Sequence, residues 1–222
     1  MLINIQNASK EFKDGQQTIQ VLDNINLTVE KGSSVAIVGA SGCGKTTLLQ
    51  AMAGLDTFTS GNAELCGYNL MHIKDYELAK VHNNYVGFVY QKSHLLPDFN
   101  LIENIALPLA INGDKEAYKK ALAIINKLEL VDFMQYYPHQ ISGGMQQKIA
   151  IGRAIANNPK IIFADEPTGN LDIDSKKLVL DNLFSASYDN EAALIIVTHD
   201  SMVAERADMV INMSELNRAN RI

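Results

Sequence analysis

Gly39-Ala40-Ser41-Gly42-Cys43-Gly44-Lys45-Thr46-Thr47 is a glycine-rich run with the spacing G-x-x-x-x-G-K-T. The apolar stretch Ser34-Val35-Ala36-Ile37-Val38 precedes it and reads as a buried strand; Leu48-Leu49-Gln50-Ala51-Met52 follows and reads as a helix. Strand, loop and helix in that order are the setting in which this spacing means phosphate binding rather than an ordinary glycine turn. The glycines let backbone N–H groups turn inward around phosphate oxygens. A helix starting near Lys45 points its positive end at the same anion. Lys45 is then expected at the β and γ phosphates, and the Thr46 hydroxyl on Mg²⁺.

The rest of the composition narrows what surrounds that loop. At 222 residues the chain reads as one domain with room for a subdomain and a substantial core. A net charge of −6 provides no bulk basic field, so no nucleic-acid partner is expected. No apolar run approaches the roughly 18 residues of a membrane span, so direct membrane insertion is not expected either. The start, Met1-Leu2-Ile3-Asn4-Ile5, lacks the basic segment and long apolar core of a secretory signal, which points to a cytosolic location. Cys43 and Cys66 are too few for a disulfide framework, and no Cys/His cluster has zinc spacing.

Alternation over Leu2–Ala8 and Val21–Val29, with a turn signal at Asp14-Gly15, predicts short N-terminal strands. Further strands are expected at Asn62–Cys66 and Val86–Tyr90, with a short helix at Asp75–His82 between them. From about Ser93 to Pro159 the pattern turns helical, with helices expected at Asn100–Leu107, Lys115–Leu128 and Ser142–Ala156. After Pro159, α/β alternation returns: strands at Ile161–Ala164, Ala193–Val197 and Asp208–Asn212, a helix at Ser175–Ser187 and a helical turn at Met202–Glu205. The expected architecture is an α/β phosphate-loop core over 1–92 and 159–222. It carries an N-terminal antiparallel β section and an inserted helical subdomain over 93–158.

Three further segments carry chemistry. Ile161-Ile162-Phe163-Ala164 ends in Asp165 and Glu166. Beside a phosphate loop, the first acid at such a strand end holds Mg²⁺, and the second is placed to orient or deprotonate an attacking water. Taken alone, the pair reads equally as solvated acids at a strand end. Ile141-Ser142-Gly143-Gly144-Met145-Gln146-Gln147 opens a helix on a serine cap, and its glycines expose N–H groups at a positive helix end. By itself it reads better as an ordinary cap followed by a glycine turn. Ile195-Ile196-Val197-Thr198 places His199 at the tip of another buried strand, where an imidazole can reach a γ-phosphate.

In order along the chain, GASGCGKTT, Gln91, ISGGMQQ, IIFADEPTGNLD and IVTHD resemble the ATP-binding cassette ATPases, a likeness covering nearly the full length. The resemblance implies an ATPase with ATP and Mg²⁺ as ligands. It implies that Phe12 stacks on adenine and that Gly39, Ala40, Ser41, Gly42, Cys43, Gly44, Lys45, Thr46 and Thr47 surround the phosphates. Gln91 would sense Mg²⁺ and the attacking water, Asp165 would hold Mg²⁺ through water, and Glu166 would be the general base. His199 would contact the γ-phosphate, and Asp172 would lie in the loop linking two sites. Ser142, Gly143 and Gly144 would complete the site of a second copy, so two copies are expected to sandwich the nucleotide. Three positions depart from the family's pattern: Ile141 replaces leucine, Met145 replaces glutamine or glutamate, and Phe12 replaces the commoner tyrosine. A thioether is a weak acceptor, which puts a polar contact from position 145 in doubt.

Tyr90-Gln91-Lys92-Ser93-His94-Leu95-Leu96-Pro97-Asp98-Phe99, with Glu103–Leu109 and Gly169-Asn170-Leu171-Asp172, is similar to one subgroup of that family. The subgroup includes ATPases of lipoprotein-releasing complexes, of peptide or drug exporters, and of cell-wall signalling complexes; the HLLPDF run is most similar to the lipoprotein-releasing branch. The resemblance implies integral membrane subunits docking near Gln91–Leu109, with Leu95, Leu96 and Phe99 as the apolar part of the groove. It implies a peripheral location on the cytoplasmic face of the inner membrane. A soluble iron–sulfur assembly ATPase is the reading outside transport.

Overall fold

Ser34–Val38 forms β3 and is buried along nearly its whole length. In this computed structural model it pairs in parallel with β8 (Ala193–Thr198) on one side and β9 (Met209–Asn212) on the other. The register sets Val35 opposite Ile195 and Met209, and Ile37 opposite Val197 and Ile211. All six residues of β8 are buried, as a parallel strand covered on both faces requires. Val38 pairs with Thr198, so Gly39 and His199 leave at the same, carboxyl end of the strands, where open α/β sheets place ligands. The structure describes residues 1–15 and 17–217.

The chain divides into two units, one of Met1–Val81 with the segment from Ala193 onward, the other of His82–Ala192. The first unit also holds an antiparallel sheet in the order β2-β1-β4-β5, made of β1 (Ile3–Asp14), β2 (Gln17–Val29), β4 (Ser60–Leu65) and β5 (Tyr68–Asn69). Ile3, Ile5 and Ala8 face inward with Leu22, Ile25, Leu27 and Val29. The hairpin is longer than the alternation predicted, because its outer half, Glu11–Lys13 and Gln17–Gln20, is exposed and carries no inward apolar set. Helix α1 (Lys45–Met52) buries Leu48, Leu49, Ala51 and Met52. A short α7 (Ser201–Ala204) and an unanticipated α8 (Met213–Leu216) complete the unit. Asn217, fully buried after α8, accepts from the Asp23 N–H at 2.8 Å and donates to the Val21 carbonyl at 2.7 Å, fixing the chain to β2.

The second unit pairs β6 (Val86–Tyr90) in parallel with β7 (Ile161–Asp165). Its helices are α3 (Leu101–Ile111), α4 (Ala117–Lys127), α5 (Gly143–Ile155) and α6 (Ile173–Asp189); α2 (Asp75–Tyr85) begins in the first unit and ends in the second. Ile102, Ile105, Ile125, Leu128 and Ile149 form its apolar centre. Helix α3 opens on a capping box between Asn100 and Glu103 and runs past Pro108, four residues beyond the expected end. Pro108 has no N–H to bond back one turn and its ring crowds the carbonyl there, and the neighbouring Ile105 and Leu109 anchor the helix in the apolar centre.

Asp208 ties the start of β3 to the chain entering β9. Its Oδ2 accepts from the Ser34 N–H at 2.8 Å and the Ser34 hydroxyl at 2.7 Å, and its own N–H donates to Ser34 Oγ at 2.9 Å. These bonds, the Ser34 N–H first, hold the Asp208 carboxyl below its usual range. A depressed folded-state pKa stabilises the fold above the unfolded value, near 3.9, and that contribution disappears as pH falls through the folded value. Asp208→Asn should therefore cost ~1 kcal/mol at neutral pH, a figure discounted for an exposed carboxylate. The gap between variant and parent should narrow below about pH 4 in urea melts across pH; a gap that does not change with pH would reject this account.

Candidate functional site

In the first unit the loop after β3 tightens through a Cys43 N–H bond to the Ala40 carbonyl at 3.3 Å. Gly42 and Gly44 have φ of +79° and +95°, the left-handed region open to glycine. Gly44 stands at the N-cap of α1, which has no side-chain cap and no acid in its first turn. The positive end of α1 therefore meets no carboxylate from its own first turn. Lys45 is 8% exposed, and its Nζ donates to the Gly39 and Ala40 carbonyls at 2.9 Å each. Its ammonium therefore lies over the loop it follows. This donor set of loop N–H groups, a helix end and one ammonium fits a phosphate chain. Thr46 is exposed and Thr47 half-buried on the first turn. Phe12 is exposed on β1, with the Lys10 ammonium 4.8 Å from its ring centre. His199 is exposed directly after β8.

In the second unit Tyr90 pairs with Asp165, so Gln91 and Glu166 leave neighbouring strands side by side. Glu166 has φ +45°, an uncommon conformation for a residue with a Cβ and one that concentrates at functional sites. Burial, and next the Asp165 carboxylate, push the Tyr90 phenol up, while the Arg153 guanidinium offsets part of this. The segment after Glu166 closes as a turn, Gly169 N–H to the Glu166 carbonyl at 3.1 Å and Leu171 N–H to the Thr168 carbonyl at 3.2 Å. Asn170 Oδ1 accepts from Gln91 Nε2 at 3.1 Å. Asp172 caps α6 by accepting from the Ser175 N–H at 3.0 Å, and Ser175, through its hydroxyl first, holds that carboxyl below the usual range.

Ser142 caps α5, its Oγ accepting from the Met145 N–H at 3.3 Å, and Gly143 and Gly144 form the first turn without an acid nearby. A Cβ on Gly144 would lie 3.1 Å from Ser175 Oγ, so the start of α6 packs against the start of α5. Met145 and Ile141, the two departures in this motif, pack on the apolar centre of the helical unit. Position 145 is therefore spent on packing.

The sequence reading did not identify the polar residues that hold Tyr90–Asn100. Gln147 is 2% exposed and donates to the Tyr90 carbonyl at 2.8 Å. Gln146 Oε1 accepts from the Ser93 hydroxyl at 3.1 Å, and Arg153 donates to the Ser93 and His94 carbonyls at 2.9 and 2.7 Å. Asn104, fully buried, accepts from the Leu96 N–H at 2.8 Å and donates to the Phe99 and Asn100 carbonyls at 3.0 Å each. The loop is thus fixed before any partner arrives. Leu95 turns inward onto the helical core, while Leu96 and Phe99 stand outward.

A family model described as "ABC transporter" matches residues 22–169. The chain belongs to the ABC transporter family, and it is that family's ATP-binding, ATP-hydrolysing cassette. Among individual relatives, it is 43% identical over 216 residues to the lipoprotein-releasing system ATP-binding protein LolD of Shewanella frigidimarina, covering 96% of this chain and 90% of the relative. LolD of Legionella pneumophila is 39% identical over 217 residues, covering 97% and 96%. A dimeric ATP-binding cassette solved in a post-hydrolysis state with ADP and Pi superposes with a TM-score of 0.87 at 34% identity, covering 99% of this chain and 95% of that one. The α/β cassette fold expected from the sequence is the fold of that structure.

Lys45→Ala should weaken ATP binding by at least about tenfold, with the melting temperature of the nucleotide-free protein little changed. Titration calorimetry measures the first and circular dichroism the second; parent-like affinity would reject the phosphate-loop assignment.

Proposed function

We propose that this chain is the ATPase subunit of a lipoprotein-releasing complex, acting on the cytoplasmic face of the inner membrane through integral membrane partners. The observation that carries this reading is the 43% identity to a LolD protein across 96% of the chain. The prefixed loop that displays Leu96 and Phe99, 38% and 37% exposed, supports it. Two outward apolar side chains on a rigid loop suit a short amphipathic helix of a membrane subunit. No helix among the described residues is long and apolar enough to cross a membrane.

The proposed mechanism assigns each site residue one task. Lys45 and the N–H groups of Gly39–Thr47 bind the phosphates, and Phe12 stacks on adenine. Among the described residues no cluster of three or more His, Cys, Asp or Glu could hold a metal ion alone. Mg²⁺ would be held by the Thr46 hydroxyl, Gln91 and, through water, Asp165, and would neutralise charge on the transferred phosphoryl group. Glu166 accepts the proton of the attacking water, Gln91 helps to place that water, and His199 donates to the γ-phosphate. Ser142, Gly143 and Gly144 of a second copy cover the γ-phosphate with the N-terminus of α5, and Asp172 lies in the loop between the two sites. ATP then joins two copies, and hydrolysis removes the group both of them hold. Movement passes through the loop after Gln91 to the membrane subunits, with the helical subdomain at 93–158 and the phosphate-loop core at 1–92 and 159–222.

Glu166→Gln should keep ATP affinity, slow turnover by roughly a hundredfold or more, and accumulate ATP-bound dimers on size-exclusion chromatography with light scattering. Full turnover in that variant would remove Glu166 from its role. Vesicles holding the complex with its membrane subunits and a labelled lipoprotein should release the lipoprotein on addition of ATP; steady hydrolysis without release would reject the lipoprotein reading and leave the ATPase intact.

A further inference from the structure

The turn between Glu166 and α6 carries a residue to which neither the motif nor the mechanism gives a task. Asn170 Oδ1 accepts from Gln91 Nε2 at 3.1 Å, between two side chains that are both exposed and free to take other rotamers. A glutamine amide has one donor end and one acceptor end, and only its oxygen can ligate a hard cation. By engaging Nε2, Asn170 fixes which way the amide is turned and presents Oε1 on the side away from itself.

The backbone around Asn170 is shaped for this contact. Gly169 lies so close that a Cβ on it would stand 2.7 Å from Gln91 Nε2 and 3.2 Å from Cδ. The same turn is hung from Glu166, whose carbonyl accepts the Gly169 N–H at 3.1 Å, and it is anchored by Thr168, 2% exposed, whose carbonyl accepts the Leu171 N–H at 3.2 Å. Gln91 and Asn170 line one cavity of about 280 Å³ together with Gly143 at the start of α5. The orientation of the Gln91 amide is therefore tied to the backbone of Glu166.

We propose that Asn170 is a positioning residue, which sets the Gln91 amide so that Oε1 faces the divalent cation bound with ATP. The inference rests on the metal role given above to Gln91. Its physical content is that an amide already turned the right way loses less freedom on binding, and that outer partners of this kind affect metal affinity by about tenfold or more.

The test uses the full chain carrying Glu166→Gln, loaded with ATP, and reads Mn²⁺ affinity from the electron paramagnetic resonance signal of free Mn²⁺. Asn170→Ala and Gly169→Ala should each weaken Mn²⁺ about tenfold. ATP affinity in chelator should be unchanged, and Gln91→Ala should match them. Gly169→Ala is informative because the added methyl meets the mobile end of a side chain, so it displaces Gln91 without straining the backbone. Asn170→Asp retains an acceptor for Nε2 and should bind Mn²⁺ at least as tightly as the parent. The double variant Asn170→Ala/Gln91→Ala should be no weaker than Gln91→Ala alone. With Glu166 restored, turnover of Asn170→Ala should recover as Mg²⁺ is raised, which a folding defect would not do. Parent-like Mn²⁺ affinity in both Asn170→Ala and Gly169→Ala, beside a weakened Gln91→Ala, would overturn the positioning role alone. Parent-like affinity in Gln91→Ala would overturn the metal role of Gln91 and this inference with it.

Discussion

A lysine only 8% exposed, whose ammonium has carbonyl oxygens as hydrogen-bond partners, is the constraint on which the first unit depends. Burying a positive charge without a full counter-charge is costly, and backbone carbonyls meet only part of that cost. The uncapped start of α1 adds positive potential at the same place. Both terms become favourable when a polyphosphate enters, because one anion satisfies the ammonium, the helix end and the loop N–H groups together. The parallel strands β3 and β8, buried along their apolar runs, hold the start of the loop in place, with the exposed β9 paired to the other side of β3.

The second unit solves a different problem. Under the proposed function the loop after Gln91 would be read by another protein, which is useful only when its shape is fixed. Here the fixing is done by side-chain amides and one guanidinium: Asn104 on α3, and Gln147 and Arg153 along α5. Each replaces backbone hydrogen bonds that irregular chain cannot make with itself. The same helix begins with Ser142, Gly143 and Gly144. Its capped, acid-free N-terminus and the loop it braces are therefore parts of one packed body.

How much of this was legible follows from what burial does to sequence patterns. The strands Ser34–Val38, Ile161–Asp165 and Ala193–Thr198 are continuous apolar runs, and continuous runs announce buried parallel strands. The phosphate loop was legible because its glycines and lysine are contiguous. The outer half of the β1–β2 hairpin was hidden because both its faces meet solvent, and α8 because four residues carry no period. Buried polar residues were the hardest to see. Gln147, Arg153 and Asn104 look like surface residues until the carbonyls they hold are known, although each interrupts the apolar face of a helix. Leu95 against Leu96 and Phe99 could not be sorted, because an irregular loop has no repeat from which to read inside and outside. Asp172 reads as an isolated acid in a motif, yet three residues on, Ser175 makes it a helix cap.

Charge adds a last constraint on how two copies could close. Each carries a net −6, and each nucleotide brings further negative charge, so the long-range field opposes pairing. That field is screened within about 8 Å at physiological salt, whereas contacts at a desolvated phosphate are not. In the proposed mechanism, closure would then be driven over short distances, by the positive end of α5 and its serine meeting a γ-phosphate held by Lys45. Such an arrangement is selective by construction. On that proposal a diphosphate would occupy the same loop but leave the second helix end without its anion, and the repulsion between the copies would then be unopposed. The acid-free first turns of α1 and α5 are what this balance requires, since a carboxylate at either would satisfy the helix end internally and remove the dependence on the third phosphate.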